Sequence, residues 1–212
     1  MINLINEDCL PALKKYPDNT FDLAIVDPPF GIGKTWNKNR KGQKSFVNNY
    51  TNATRPPAEY FVQLKRVSRN WIIWGANFFD LWPSKNVIIW DKICTWEKDH
   101  KAECEIALTS LTHRPISIFR HAWSGGRKGP ETGIKIIHPH QKPIALYKWC
   151  LEKYAHNGDS ILDTHIGSAS IALACLDLGF DLTAYEIDPS IFNAAKKRIL
   201  EYQIKKSGIF DD

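Results

Sequence analysis

Phe21-Asp22-Leu23-Ala24-Ile25-Val26-Asp27-Pro28-Pro29-Phe30 is the stretch whose reading decides the fold. A short aliphatic run halted by two prolines reads as a buried strand that opens abruptly into a loop. Open α/β sheets bind their ligands at that carboxyl edge. The loop offers one carboxylate (Asp27), a rigid Pro28-Pro29 backbone with outward carbonyls, and the ring of Phe30. An aspartate oxygen and the Pro28 carbonyl together suit the two hydrogens of an exocyclic amine, while Phe30 suits the face of a flat base. The bland alternative for the tetrapeptide is a strand followed by a Pro-Pro turn whose Asp27 is only a cap.

The flanking sequence builds a parallel sheet around that strand. Met1 to Ile5 is a short apolar run, and Cys9, Leu10 and Leu13 fit one face of a short helix ending near Tyr16-Pro17. Strand, helix and strand in so few residues make a βαβ unit. Asp8 then falls on the same sheet edge as Asp27, as a helix N-cap or as a ligand contact. Residues 58–67 repeat Tyr60, Phe61, Leu64 and Val67 at helical spacing. Trp71–Trp74 and Val87–Trp90 are buried-strand candidates, and Ile106–Leu108 with Ile116–Phe119 are expected as an antiparallel pair at one sheet edge.

Two stretches have neither periodicity. Gly31 to Ala58 carries Lys34, Lys38, Arg40, Lys41, Lys44 and Arg55 with no acidic residue, interleaved with asparagines and with Trp36, Phe46 and Tyr50. Long loops in compact domains are functional or disordered, and cations mixed with amides and aromatics suit phosphate and base contact. A solvated loop is the bland alternative. A second Gly-rich basic loop, near 120–137, holds Arg127 and Lys128.

His138-Pro139-His140-Gln141-Lys142-Pro143 leads into a helix over Ile144–Ala155. The two histidines have no third ligand near them in sequence, and no metal is expected. Pro143 fits a helix start, and Lys142 beside that start suits gripping a carboxylate. Ser160–Asp163 reads as a strand, Thr164–Ser170 as a turn, Ile171–Leu178 as a helix, and Asp181–Tyr185 as the next strand, ending in Glu186-Ile187. Asp188-Pro189 opens the last helix as N-cap and first residue. Glu186 stands where a nucleoside ribose would be held. Neither G-x-G-x-x-G nor a P-loop is present, which disfavours dinucleotides and nucleotide phosphates. A ligand with ribose hydroxyls and no pyrophosphate fits, and S-adenosylmethionine is one.

Composition sets the frame. The 212 residues suit one domain over 1–212 and are 43% hydrophobic and 24% charged. Net charge is +5, compatible with nucleic acid. Five scattered cysteines without a C-x-x-C give no zinc or disulfide framework and fit a reducing compartment. With no leader and no apolar run long enough to span a bilayer, a cytoplasmic, bacterial or phage-encoded protein without a membrane partner is expected.

In this order, Asp27-Pro28-Pro29-Phe30, His138–Pro143 and Asp163-Thr164-His165-Ile166-Gly167-Ser168 resemble the DNA amino-methyltransferases of the circularly permuted β class. Trp74–Phe78, Trp90-Asp91-Lys92 and Phe119–Trp123 are smaller matches. The resemblance implies a Rossmann-like, mostly parallel seven-stranded sheet with helices on both faces. It implies that Asp27, Pro28, Pro29 and Phe30 are catalytic. Cofactor contacts are implied for Asp8, Cys9, Asp27, His138, Gln141, Lys142, Pro143, Asp163, Thr164, His165, Gly167, Ser168, Ser170, Glu186 and Ile187. The implied reaction moves a methyl group from S-adenosylmethionine to adenine N6 in a base flipped from double-stranded DNA, because Asp rather than Ser opens the catalytic motif. The alternatives are cytosine N4 and a catalytically degenerate DNA-binding homologue. A homodimer is suggested, and a restriction endonuclease partner is left open. Ala169 stands for the usual glycine and Thr164-His165 for the usual Pro-Phe; the added Cβ is expected to weaken cofactor binding.

Overall fold

The computed structural model describes residues 1–31, 54–81, 86–93, 102–112, 115–123, 128–131, 133–138 and 140–207. Eight strands form one sheet: β1 (Ile2–Ile5), β2 (Phe21–Val26), β3 (Ser68–Trp74), β4 (Val87–Asp91), β5 (Cys104–Thr109), β6 (Ile116–Arg120), β7 (Ser160–Asp163) and β8 (Asp181–Tyr185). Their spatial order is β1-β8-β7-β2-β3-β5-β4-β6. Every pairing is parallel except those of β5, which runs antiparallel to both β3 and β4. The sheet therefore has one strand more than the seven expected. The expected pairing of β5 with β6 does not form either. β4 lies between them, and β6 lies parallel to β4 with Val87 opposite Ile116. Short apolar runs carry no mark of direction, so the sequence could not separate these arrangements.

Among the described residues five α-helices cover the sheet: α1 (Cys9–Leu13), α2 (Ala58–Val67), α3 (Ile144–Tyr154), α4 (Ser170–Leu178) and α5 (Pro189–Lys206). Period-2 alternation divides the strands between two cores. Leu23, Ile25, Ile72 and Trp74 turn to the face that packs on α3 and α4. Ala24, Val26 and Ile73 turn to the face that packs on α1 and α2 through Leu13, Tyr60 and Leu64. Caps fix where the chain re-enters helix. The Asp8 side chain accepts from the Leu10 amide at 2.9 Å, and Asp188 accepts from the Ser190 and Ile191 amides ahead of Pro189. Pro143 is the N-cap of α3 rather than its first helical residue, with ψ of 146°. Among the described residues no helix is long and apolar enough to cross a membrane.

This topology assembles the site. The carboxyl ends of β7, β8, β2, β3 and β4 all point to one edge, and β5 arrives there with its amino end, Glu105 standing opposite Trp90.

Candidate active site

A cavity of about 320 Å³ opens at this edge. Asp27, Pro28, Pro29 and Phe30 form one wall, Gly167, Ser168, Glu186 and Ile187 another, and His138, His140, Lys142 and His165 lie between.

Asp27 belongs to a buried cluster of charges. Its Oδ2 receives the Lys142 Nζ at 2.5 Å, and that ammonium also reaches Glu105 Oε2 at 3.0 Å. Lys92 holds the other Glu105 oxygen at 2.8 Å. Two cations and two carboxylates compensate one another out of water. Burial pushes the Asp27 carboxyl up, against the pull of Lys142. Burial also acts to raise Glu105, but Lys142 and Lys92 overcome it and bring that carboxyl down to about 2. Burial pulls the Lys142 ammonium down, yet the two carboxylates hold it above its ordinary range. Lys142, expected to grip a carboxylate, thus grips two of the protein's own. The backbone N–H groups at the start of α3 are taken as well: Ile144 and Ala145 donate to the Glu131 carboxylate at 3.1 and 2.9 Å. Asp27 Oδ1, in contrast, is buried without a hydrogen-bond partner among the described residues.

Phe30 is set by its floor. Gly75 has φ of +72°, and a Cβ there would lie 2.0 Å from Phe30 Cε1, so glycine is required on both counts. One face of the Phe30 ring stacks on Phe78 at 4.8 Å. Arg55, expected on DNA, donates through Nε to the Phe30 carbonyl at 3.2 Å.

The opposite wall is held mainly by backbone donors. Glu186 accepts from the Gly167 amide at 3.2 Å and the Asp188 amide at 3.0 Å, and burial pushes its carboxyl upward. Asp163 accepts from the His165 amide at 3.0 Å. Burial raises Asp163 to about 8, the amide hydrogen bond opposing it. Ala169 adopts φ of +62° and is fully buried, which accounts for the usual glycine there. Arg198 Nη1 ties the turn to α5, donating to the Ser168 carbonyl at 2.6 Å and to Ser170 Oγ at 3.1 Å.

Other expected site residues stand behind the walls. Asp8 caps α1, Cys9 packs in the α1/α2 core, and Gln141, Pro143, Asp163, Thr164 and Ser170 do not line the cavity. Gln141 Oε1 accepts from the Ile137 amide, and Ser170 Oγ donates to the Lys142 carbonyl at 2.7 Å. Lys34, Trp36, Lys38, Arg40, Lys41, Lys44 and Arg127 lie outside the described residues. Lys128 rests over the Trp123 ring at 5.7 Å. Sequence reading missed Glu105, Glu131, Tyr60, Arg198 and His140. Lys92 did carry a signal, since it follows a strand end within a matched tripeptide.

The family model described as DNA methylase matches residues 63–197. The type II methyltransferase M.HpaI of Haemophilus parainfluenzae is 22% identical over 238 residues, covering 92% of this chain and 73% of its own length. Among solved structures, M1.HpyAVI in complex with SAM superposes with a TM-score of 0.60 at 20% identity, over 93% of this chain and 100% of that one. The cytosine-N4-specific PvuII DNA methyltransferase gives 0.56 at 13% identity, over 98% of this chain and 93% of that one.

Proposed function

We propose that this chain, which belongs to the N6/N4 DNA methylase family, transfers a methyl group from S-adenosylmethionine to adenine N6 of a base flipped out of double-stranded DNA. The observation that carries the reading is the open Asp27 Oδ1, buried beside Pro28 and Phe30 at the cavity wall. The cavity fits the cofactor: its volume of about 320 Å³ lies within the range of small-molecule sites, about 300–1,000 Å³. Glu186 and the Gly167-Ser168 turn supply the carboxylate and open backbone that suit a ribose.

S-adenosylmethionine brings an electrophilic methyl group on sulfur. On this reading, Asp27 Oδ1 accepts one amino hydrogen and the Pro28 carbonyl the other, which draws the nitrogen lone pair out of ring conjugation. Phe30, backed by Phe78 and Gly75, stacks on the base. Lys142 holds Oδ2, so a single oxygen of Asp27 is left to orient the amine. In the transfer the nitrogen would gain the methyl carbon as the carbon–sulfur bond breaks, the sulfur leaving as a neutral thioether, and one N–H proton would pass to water. Flipping is needed because the amino group is otherwise paired in the duplex, and positioning with electrostatics does the rest. The chain order, with the Asp27 motif ahead of the Gly167 turn, supports the permuted class.

The test is transfer from labelled S-adenosylmethionine to unmethylated DNA, followed by nucleoside analysis. N6-methyladenine is the expected product. N4-methylcytosine would keep the mechanism and change the base, a reading favoured by the likeness to the PvuII enzyme. Asp27→Ala is expected to lower the rate by about 10²–10³-fold, and an unchanged rate would remove Asp27 from the mechanism.

A further inference from the structure

Thr164 and His165 are one end of a buried hydrogen-bond chain. Tyr60 Oη and Thr164 Oγ1 are 2.6 Å apart, and Thr164 Oγ1 is 2.9 Å from His165 Nδ1. Tyr60 and Thr164 are both buried, and the Tyr60 ring also meets the His165 ring edge-on at 5.4 Å. Three atoms share two bonds, so the protons can be assigned from donor and acceptor counts.

Among the described residues the Tyr60 hydroxyl has no acceptor besides Thr164 Oγ1, and its proton must go there. The Thr164 proton then has only His165 Nδ1 to receive it. If His165 carried its proton on Nδ1, either the phenol or the threonine hydroxyl would keep a buried proton without an acceptor, which is costly. The imidazole therefore carries its proton on Nε2. Burial, which pulls His165 down to about 4, agrees with a neutral ring. His165 lines the cavity while Thr164 does not, and with Nδ1 taken by Thr164 the nitrogen left to meet a ligand is Nε2.

We infer that Tyr60 and Thr164 are positioning residues that lock His165 as the Nε2–H tautomer, making it a hydrogen-bond donor to an acceptor atom of S-adenosylmethionine. The ligand half of this inference rests on the proposed function; the tautomer does not. The cofactor's sulfonium and ammonium accept nothing, so the donor is matched to its carboxylate or to the neutral acceptors of its adenosyl group. On this account Thr164-His165, where the resemblance expects Pro-Phe, is a working replacement rather than a mark of decay.

Two measurements test it. Nitrogen-15 NMR of the histidine rings, with His165 assigned by the signals lost in His165→Phe or His165→Gln, is expected to report the neutral Nε2–H form at neutral pH. An Nδ1–H ring or an imidazolium would overturn the inference without any cofactor present. Calorimetry with S-adenosylmethionine is expected to show about ten-fold weaker binding for His165→Phe, the size of one lost hydrogen bond. His165→Gln, which keeps an N–H donor, is expected to recover part of that loss, and Thr164→Val to fall between wild type and His165→Phe with a mixed tautomer. Binding by His165→Phe within two-fold of wild type would overturn the ligand role. Wild-type protein that binds no cofactor would overturn both the functional reading and the ligand named here, with the NMR result still deciding the tautomer.

Discussion

Two aspartates end neighbouring parallel strands, Asp27 just after β2 and Asp163 as the last residue of β7, and they have different partners. Both are buried, and burial pushes both carboxyls upward. Asp27 meets the Lys142 ammonium at 2.5 Å, with Glu105 and Lys92 behind it. Asp163 has the His165 amide at 3.0 Å and no cation in hydrogen-bond contact among the described residues. The same residue at the same topological place is ion-paired beside the Pro28-Pro29 loop and held by a backbone amide alone under the Gly167 turn. Burial acts on both carboxyls in the same direction, and among the described residues Asp27 alone has a cationic partner in contact to oppose it.

Removing that partner is the most direct way to break the contrast. Lys142→Met leaves Asp27 and Glu105 facing each other with Lys92 alone, and a broken buried ion pair costs about 3–5 kcal/mol. Denaturant titration is expected to show a loss of that size, with methyl transfer abolished. Adding Glu105→Gln to Lys142→Met is expected to restore part of the stability, since one uncompensated charge is gone; a double variant no more stable than the single would argue against the cluster.

The Asp163 side of the contrast is read with pH. Its folded pKa, about 8, lies above the unfolded value of about 3.9. The stability it contributes is complete below about pH 4 and is lost as pH rises through about 8. Asp163→Asn cannot titrate, so the stability of wild type relative to this variant is expected to fall between about pH 4 and pH 8. Parallel stability curves for the two proteins would show that Asp163 is already ionised in the fold.

The smallest effect is a gain. Ala169 holds φ of +62° at the N-cap of α4, a conformation that costs a residue with a Cβ about 1 kcal/mol. Ala169→Gly is expected to recover about that amount and to raise Tm by about 2–4 °C. Cofactor affinity is the second readout. An affinity equal to wild type would locate the cost of Ala169 in folding and not in cofactor approach.

Much of this was legible without coordinates, for local reasons. Apolar runs bounded by Pro, Gly and Asp located β2, α2, β7, β8 and α5, because strand and helix periods and their caps are written within a few residues. The motif loops were legible for the same reason, and the cavity does gather Asp27–Phe30, Lys142, Gly167 and Glu186. What separates the readable from the unreadable is sequence distance. Lys142 is 115 residues from the Asp27 it pairs with, and Tyr60 is 104 from Thr164. Neither partner is marked by its neighbours in the chain.

The sequence by itself determined the parallel α/β character, the ends of most elements and the loops that carry chemistry, since each follows from periodicity and turn residues. The strand order, the antiparallel entry of β5 that delivers Glu105, and the capture of Lys142 by Asp27 emerge only from the tertiary structure. It likewise decided that Tyr60 and Thr164 assign the proton of His165. Those features depend on which buried polar groups meet across the sheet, and burial makes each such meeting obligatory once the backbone has brought the groups together.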